Sequence, residues 1–170
     1  MYKIKIQDFG GLKGTYNFVG ADNEYVYIKS DTTLSSPFVE CELPQTIKDS
    51  IESARENKKT ELENARTQAN FKSVEYNGKL IQATEQDQSL ISNSVLMLSQ
   101  VGGTMQWITE DNSIIEVSLQ DMTSIMGLIV QQVSNNFLKC RQLKDKLLTC
   151  QTIDEINQIQ WEDDNDSVQE

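Results

Sequence analysis

Three residues that could hold a phosphate, Asn77, Gly78 and Lys79, lie in the segment VEYNGKLIQATEQD at residues 74–87. Glycine amides and a lysine ammonium bind phosphate when they converge at the N-terminus of a helix. Here strand-like residues flank Asn77-Gly78, and this dipeptide is the strongest short-range signal for a hairpin turn, because both positions need a positive φ. The next helix is predicted to begin only after Thr84, too late for its amides to join Gly78 around one anion. The segment therefore predicts a β-hairpin, and this hairpin explains the motif without a phosphate bound to Lys79.

A second glycine-rich segment, Gly10-Gly11-x-x-Gly14, has some of the spacing of a nucleotide-binding loop. A phosphate-binding glycine loop must open a helix whose N-terminal amides point at the anion. The strand-like sequence TYNFV follows instead, so we interpret these glycines as a connection between two strands.

Acid–base and nucleophilic chemistry have few candidate residues. The sequence contains no histidine, which removes Ser-His-Asp and Cys-His pairs, histidine zinc sites and the usual general base near neutral pH. Asp111 and Asn112 are interpreted as a turn whose side chains hydrogen-bond to the backbone. No pair of acids facing each other across a cleft, as glycan cleavage requires, can be located. We expect no enzymatic activity, no metal and no cofactor.

The three cysteines, Cys41, Cys140 and Cys150, have no CxxC spacing. Cys140 and Cys150 are ten residues apart in one predicted helix, which separates them by ~15 Å along the axis, too far for a disulfide. Reduced, packed thiols are the expectation.

Composition and charge restrict the partners. The chain has 170 residues and a net charge of −11, which argues against binding to a phosphate backbone. No apolar run approaches the ~20 residues that cross a bilayer, and no signal peptide is visible, so we expect cytoplasmic synthesis and neither nucleic acid nor membrane as a partner. The tail at residues 161–170 is predicted to be a disordered, acidic, solvating segment, with a contact to a basic partner surface as the alternative.

The periodicity of apolar residues predicts an α+β fold. Residues 1–44 alternate strand-like and glycine-containing segments, which indicates a small antiparallel β-meander. Residues 45–71 predict a charged connecting helix with a thin apolar stripe, typical of a spacer or a weak coiled-coil seam. Residues 72–160 predict a C-terminal α+β domain of short hairpins packed on helices, one of them long, before the acidic tail at 161–170.

The helix starts in the C-terminal domain are marked by capping signals. Thr84 with Asp87, Ser118 with Asp121, and Thr152 with Glu155 each have the spacing of a capping box. The first of these helices is predicted to stop at Gly102-Gly103 and to bury a stripe of five apolar residues: Leu90, Ile91, Val95, Leu98 and Val101. The segments MQWI and IIEV predict a second hairpin around the turn TEDNS.

Large aromatic residues are the candidates for a partner-binding surface, because they dominate interfaces as well as cores. Alternation places Tyr25 and Tyr27 on one face of a strand, and Tyr16 and Phe18 precede them in the same small sheet. One aromatic face of this sheet is a candidate contact surface, with a core role as the alternative. Tyr76, beside the hairpin turn, and Trp107, for which a core role is favoured, complete the set.

The order of these elements resembles a known family from Tyr76 onward. The hairpin YNGKLIQA follows a charged helix, then come a helix, the segment WITEDNSIIEVSLQDM and the closing LTCQTIDEINQI. Across roughly residues 50 to 160 the sequence is similar to the small C-terminal domain of unknown function found in bacteriophage and prophage tail proteins, often with tail-fibre assembly chaperones.

The resemblance implies a non-enzymatic role in phage assembly. The expected function is a tail-fibre assembly chaperone that binds and caps the distal part of a trimeric, β-rich tail fibre in the host bacterial cytoplasm. The alternative is a structural tail, fibre-tip or adaptor protein retained on the virion tail and oligomerising through the helix at 45–70. Self-association of the chain is left open.

Overall fold

The computed structural model describes residues 1–12 and 16–162, so Gly14 and the acidic tail from residue 163 lie outside the described residues. The α+β class predicted from the sequence is confirmed, with antiparallel sheets and one long helix. The elements in chain order are β1 Tyr2–Lys5, α1 Ile6–Phe9, β2 Asn17–Ala21, β3 Tyr25–Lys29, β4 Val39–Glu40, α2 Gln45–Asn70, β5 Val74–Tyr76, β6 Lys79–Ile81, α3 Glu85–Val101, β7 Thr104–Ile108, β8 Ile114–Ser118, α4 Leu119–Thr149 and α5 Ile153–Asn157.

The chain forms two compact units. Unit 1 contains Met1–Leu62 and the chain from Gln142 onward, and unit 2 contains Glu63–Arg141. The division falls inside α2 and α4, whereas the predicted domain boundaries lie at residues 45 and 72. In the described part of the chain, no helix is both long and apolar enough to span a membrane.

The sheet of unit 1 is antiparallel, as predicted, but its strand order is not that of a meander. The order is β2-β3-β1-β4, so β1 pairs with β3 and β4 instead of with β2. The path of the chain after β1 differs from that of a hairpin: Ile6 does not continue the first strand but begins the short helix α1, and Gly10 keeps a right-handed helical φ of −65°. The chain after β1 therefore does not return as a tight hairpin. One face of the sheet buries Tyr2, Ile4, Val26 and Ile28.

The other contacts of unit 1 join the two ends of the chain. A Cβ atom on Gly20 would lie only 2.8 Å from Cγ2 of Ile47, so α2 approaches β2 closely there. The helix α5 lies against β2. Near the end of α4, the Arg55 guanidinium donates from Nη2 to the Cys150 carbonyl at 2.9 Å and from Nε to the Leu147 carbonyl at 3.4 Å. These bonds add side-chain donors to carbonyls at the C-terminal end of α4, where the Leu147 carbonyl also accepts from the Cys150 amide at 3.3 Å.

The helix α2 spans Gln45–Asn70, so it ends one residue before the predicted 45–71 segment does. Four apolar side chains of its stripe, Ile47, Ile51, Leu62 and Ala69, are buried within the chain. The stripe that suggested a coiled-coil seam is therefore packed inside the molecule.

Unit 2 consists of two hairpins packed with α3 and the first part of α4. Its core contains Ile81, Ile91, Leu98, Met122 and Ile125, among others. The predicted capping boxes at Thr84 and Thr152 each have both reciprocal hydrogen bonds. At the start of α4 the Ser118 amide donates to the Asp121 carboxylate, and the Asp121 amide donates to the Ser118 hydroxyl. The predicted stop of α3 at Gly102, with a φ of 66°, is confirmed.

The predicted buried stripe of α3 is only partly correct. Ile91 and Leu98 are buried and Val95 is half-buried, but Leu90 and Val101 are exposed. A helix buries only the side that has a neighbour, and the apolar residues of α3 cover a wider arc than that side. The three cysteines remain separate thiols, with Cys140 buried and the other two half-buried.

Candidate partner-binding surface

The aromatic residues predicted in the N-terminal sheet do not form one exposed face. Tyr27 is only 4% exposed, and its hydroxyl donates to Oδ2 of Asp22 at 2.6 Å. This bond raises the pKa of Tyr27 to about 12 and lowers the pKa of Asp22. The expectation that Tyr27 presents its ring to a partner is wrong, because its cross-strand partner Gly20 shares its face and lies against Ile47 of α2.

The other three aromatics have separate surroundings. Tyr16 is half-buried between the rings of Phe9 and Phe38, at centroid distances of 6.0 and 5.3 Å. Tyr25 is half-buried, with Nζ of Lys3 4.3 Å above its ring. Phe18, at the edge of the sheet, is exposed. These positions favour packing within unit 1 over a shared contact surface.

In unit 2, Tyr76 connects the first hairpin to the start of α4. Its hydroxyl donates to Oδ1 of Asp121 at 2.6 Å, while Oδ2 of the same carboxylate accepts from the backbone amide and the hydroxyl of Ser118. The Ser118 hydroxyl, the Tyr76 hydroxyl and the Ser118 amide together lower the pKa of Asp121 to about 2. The bond to Asp121 raises the pKa of Tyr76. Tyr76 therefore has a positioning role in the hairpin.

Lys79, the lysine of the apparent phosphate motif, forms an ion pair instead. Its Nζ lies 2.8 Å from Oδ2 of Asp111, in the turn of the second hairpin. Oδ1 of Asp111 accepts from the Thr109 hydroxyl at 2.6 Å and from the Ser113 amide at 3.0 Å. Lys79 and these donors hold the pKa of Asp111 well below its usual range. Sequence reasoning missed this pair, because 32 residues separate its members and neither has a local signal.

The turn residues have the backbone conformation that the sequence predicts. Asn77 and Gly78 have φ values of 52° and 75°, and Asn112 has a φ of 59°. The Glu110 amide donates to the Leu80 carbonyl at 2.9 Å, so the two hairpins are also joined through their backbones. The carboxylates of Asp111 and Asp121 are both fully engaged with donors, which makes them structural anchors of the hairpins.

Trp107 lies on the inner side of the second hairpin. Its half-buried ring packs against the core of unit 2, and Ile115 is its cross-strand partner. Its buried Nε1 has no hydrogen-bond partner among the described residues. The favoured core role of Trp107 agrees with this position.

The outer side of the second hairpin carries one aliphatic pair beside the polar pair of Gln106 and Glu116. Ile108 and Ile114 are cross-strand partners and are 58% and 63% exposed, and Leu80 of the first hairpin is half exposed. We call Ile108 and Ile114 the outer hairpin face. Alternation along MQWI and IIEV could have identified the isoleucines, once Trp107 and Val117 were assigned to the core. This adjacent pair of exposed β-branched side chains is the candidate contact site of the second hairpin.

Exposed apolar residues are concentrated in unit 2. Of fifteen large apolar side chains that the described residues expose, eleven belong to unit 2, which places the stronger candidate surfaces there. Within the described ranges, no cluster of three or more metal-ligating side chains occurs. The arrangement of unit 2 suits binding of an apolar partner surface.

The chain matches a family described as a domain of unknown function (DUF4376) over residues 53–165, about two thirds of its length. It therefore belongs to this family. Searches of curated proteins and of solved structures gave no match.

Proposed function

We propose that this protein is an assembly chaperone for a bacteriophage or prophage tail fibre, and that it binds and caps the distal part of the trimeric fibre. The observation that carries the proposal is the ordered resemblance across residues 50–160. The family match at 53–165 covers nearly the same residues, and a hairpin, a helix, a second hairpin, a long helix and a short Thr-initiated helix occur there in that order. The family description names no partner, so the tail fibre as the partner is inferred from the resemblance alone.

The outer hairpin face supports this role physically. Unassembled β-rich fibre chains expose strand edges and apolar ends, which aggregate unless another molecule covers them. Ile108 and Ile114 form a β-branched pair on a short hairpin, and such a pair can cover an aliphatic strand of a partner. The binding is non-enzymatic.

We place the fibre contact on the outer hairpin face and not on the N-terminal aromatics. Tyr27 is buried and Tyr16 packs between two other rings, so these side chains have little free area to offer. Trp107 holds the second hairpin on the core of unit 2, and Tyr76 ties the first hairpin to Asp121 at the start of α4.

The second candidate, an adaptor retained in the virion, has less support. It was based on oligomerisation through the helix at 45–70, and that helix would have to present its apolar stripe to other copies. Ile47, Ile51 and Leu62 of this stripe are already buried within one chain. A retained adaptor would need another contact surface.

Co-expression with a tail-fibre chain of the same phage or prophage tests the proposal. We expect a soluble trimeric fibre in the presence of the wild-type protein and an insoluble one in its absence. The variant Ile114→Lys should lose this effect, because it places a charge on the outer hairpin face while leaving the core unchanged.

The matched control is Ile6→Lys, since Ile6 is an exposed isoleucine of unit 1. It should solubilise the fibre as the wild-type protein does. A fibre that is equally soluble without the protein would contradict the chaperone role. Detection of the protein in purified particles, at a ratio set by tail symmetry, would favour the adaptor instead.

A further inference from the structure

The surface of α3 differs in charge from the rest of the protein. From Gln88 to Thr109 the sequence has twenty-two consecutive residues without Asp, Glu, Lys or Arg, the longest such run in the chain. With 24% charged residues overall, a segment of this length would on average hold about five. This run contains nearly all of α3, whose outer surface faces solvent.

Three exposed apolar residues of α3 lie along one line. Leu90, Met97 and Val101 are 48%, 45% and 73% exposed. Their spacing of i, i+7 and i+11 keeps them within about 40° of each other around the helix axis. We call these three residues the α3 stripe. It borders the buried side of the helix, where Ser94 is the small residue between Leu90 and Met97.

From the α3 stripe we infer that two copies of this chain associate, with their α3 helices packed antiparallel about a two-fold axis. In such an isologous contact a residue i meets a residue j and j meets i. Alignment of Leu90 with Val101 of the second copy places Met97 opposite Ser94, whose small side chain leaves room for the flexible methionine. The stripe is thus complementary to itself.

The charge of the chain favours a second copy as the molecule that covers the α3 stripe. Each chain carries a net charge of −11, so two copies repel each other wherever acidic surfaces meet. The charge-free surface of α3 is where two copies can approach without bringing carboxylates together. A basic partner would instead bind an acidic surface. The neighbouring Ser89, Asn93 and Gln100 are uncharged, so they add no carboxylate to this contact.

Light scattering after size exclusion tests the association with the chain alone, so its result is independent of any fibre. We expect a concentration-dependent mass that approaches twice 19.3 kDa. Met97→Glu should raise the dissociation constant of the dimer by at least about tenfold. The substitution places one carboxylate of each copy in the apolar contact, and the two carboxylates repel each other. Leu148→Glu is the matched control on an exposed leucine of α4, and it should leave the mass unchanged. A monomer at every concentration, or equal effects of both variants, would overturn the inference.

Disulfide trapping gives a second measurement that does not depend on a destabilising charge. In the double variant Leu90→Cys with Val101→Cys, the two positions of one helix are about 16 Å apart and cannot bridge within a chain. Oxidation should therefore produce a covalent dimer. The single variant Leu90→Cys should not, since an antiparallel pair holds the two copies of residue 90 at opposite ends. Efficient linkage by the single variant would contradict the antiparallel geometry.

Discussion

Replacement of Gly20 by alanine tests the packing of α2 on the N-terminal sheet. The new Cβ would lie 2.8 Å from Cγ2 and 3.3 Å from Cδ1 of Ile47. Carbon atoms in contact are normally ~3.5–4.0 Å apart, so Ile47 or the backbone must shift. Ile47 is buried and branched at Cβ, which leaves Cγ2 little freedom to move.

The expected cost follows from overpacking. Insertion of a methyl group into a packed site costs about 1–3 kcal/mol. Removal of a glycine from a strand by itself would stabilise the protein by about 0.4–1 kcal/mol, through the unfolded chain. We therefore expect Gly20→Ala to lower the free energy of unfolding by about 0.5–2 kcal/mol. For a chain of this size each kcal/mol corresponds to about 2–4 °C in the melting temperature.

Two variants of Ile47 identify the atom responsible. Ile47→Val removes Cδ1 but keeps Cγ2, so Gly20→Ala should remain costly in that background. Ile47→Ala removes both atoms, and there the cost of Gly20→Ala should vanish. Gly127→Ala is the matched control: this helical glycine has open space at its Cβ position, and alanine should stabilise α4 by about 0.5–1 kcal/mol.

Thermal unfolding followed by circular dichroism measures all of these variants. A Gly20→Ala protein as stable as the wild type would refute the close approach of Ile47 to β2. An equal cost of Gly20→Ala in the valine and alanine backgrounds would show that Cγ2 of Ile47 is not the cause.

Two further predictions concern unit 2. Tyr76→Phe should raise the pKa of Asp121 from about 2 towards its ordinary value, because one of its donors is lost. The stabilisation by a carboxylate with a lowered pKa is complete above its unfolded pKa of about 4 and is lost as the pH falls towards 2. Acid unfolding of the variant should therefore begin at a higher pH; an unchanged NMR titration of Asp121 would contradict this. Trp107→Phe should lower the free energy of unfolding by less than about 1 kcal/mol, because the lost Nε1 donor has no partner in the described structure. Trp107→Ala should lower it by about 2–4 kcal/mol, because the whole ring is removed from the core. Urea unfolding measures both variants.

Features determined by neighbouring residues could be predicted from the sequence. The helix starts at Thr84, Ser118 and Thr152 depend on hydrogen bonds across three residues, and each was identified. The Asn77-Gly78 turn depends on the φ preferences of the two residues themselves. The bounds of α2 followed from composition and periodicity alone.

Features determined by distant contacts could not be predicted. Strand pairing joins residues far apart, so the position of β1 between β3 and β4 had no local signal. Alternation correctly placed Tyr25 and Tyr27 on one face, but whether that face is covered depends on α2. For the same reason the exposure of Leu90 and Val101 depends on which side of α3 has a neighbour.

The candidate site was predicted in part. Tyr76 and Trp107 were singled out, and the structure places both in the hairpins of unit 2. The exposed isoleucines beside them were not singled out, because an apolar residue on a short hairpin is as often buried. The register Ile108 with Ile114 shows that this pair points away from Trp107.

The discontinuity of unit 1 has a consequence for synthesis on the ribosome. The carbonyls that Arg55 satisfies belong to Leu147 and Cys150, and the helix that lies against β2 begins at Ile153. The ribosome adds about 5–20 residues per second, so the seventy-nine residues of unit 2 separate the two parts of unit 1 by about 4–16 s. During that interval the N-terminal strands lack their final covering, and unit 2 has all its residues at its end, before the second part of unit 1 is made. A chain truncated after Arg141 and released from the ribosome should therefore resist protease within unit 2 and be cleaved within the first 62 residues.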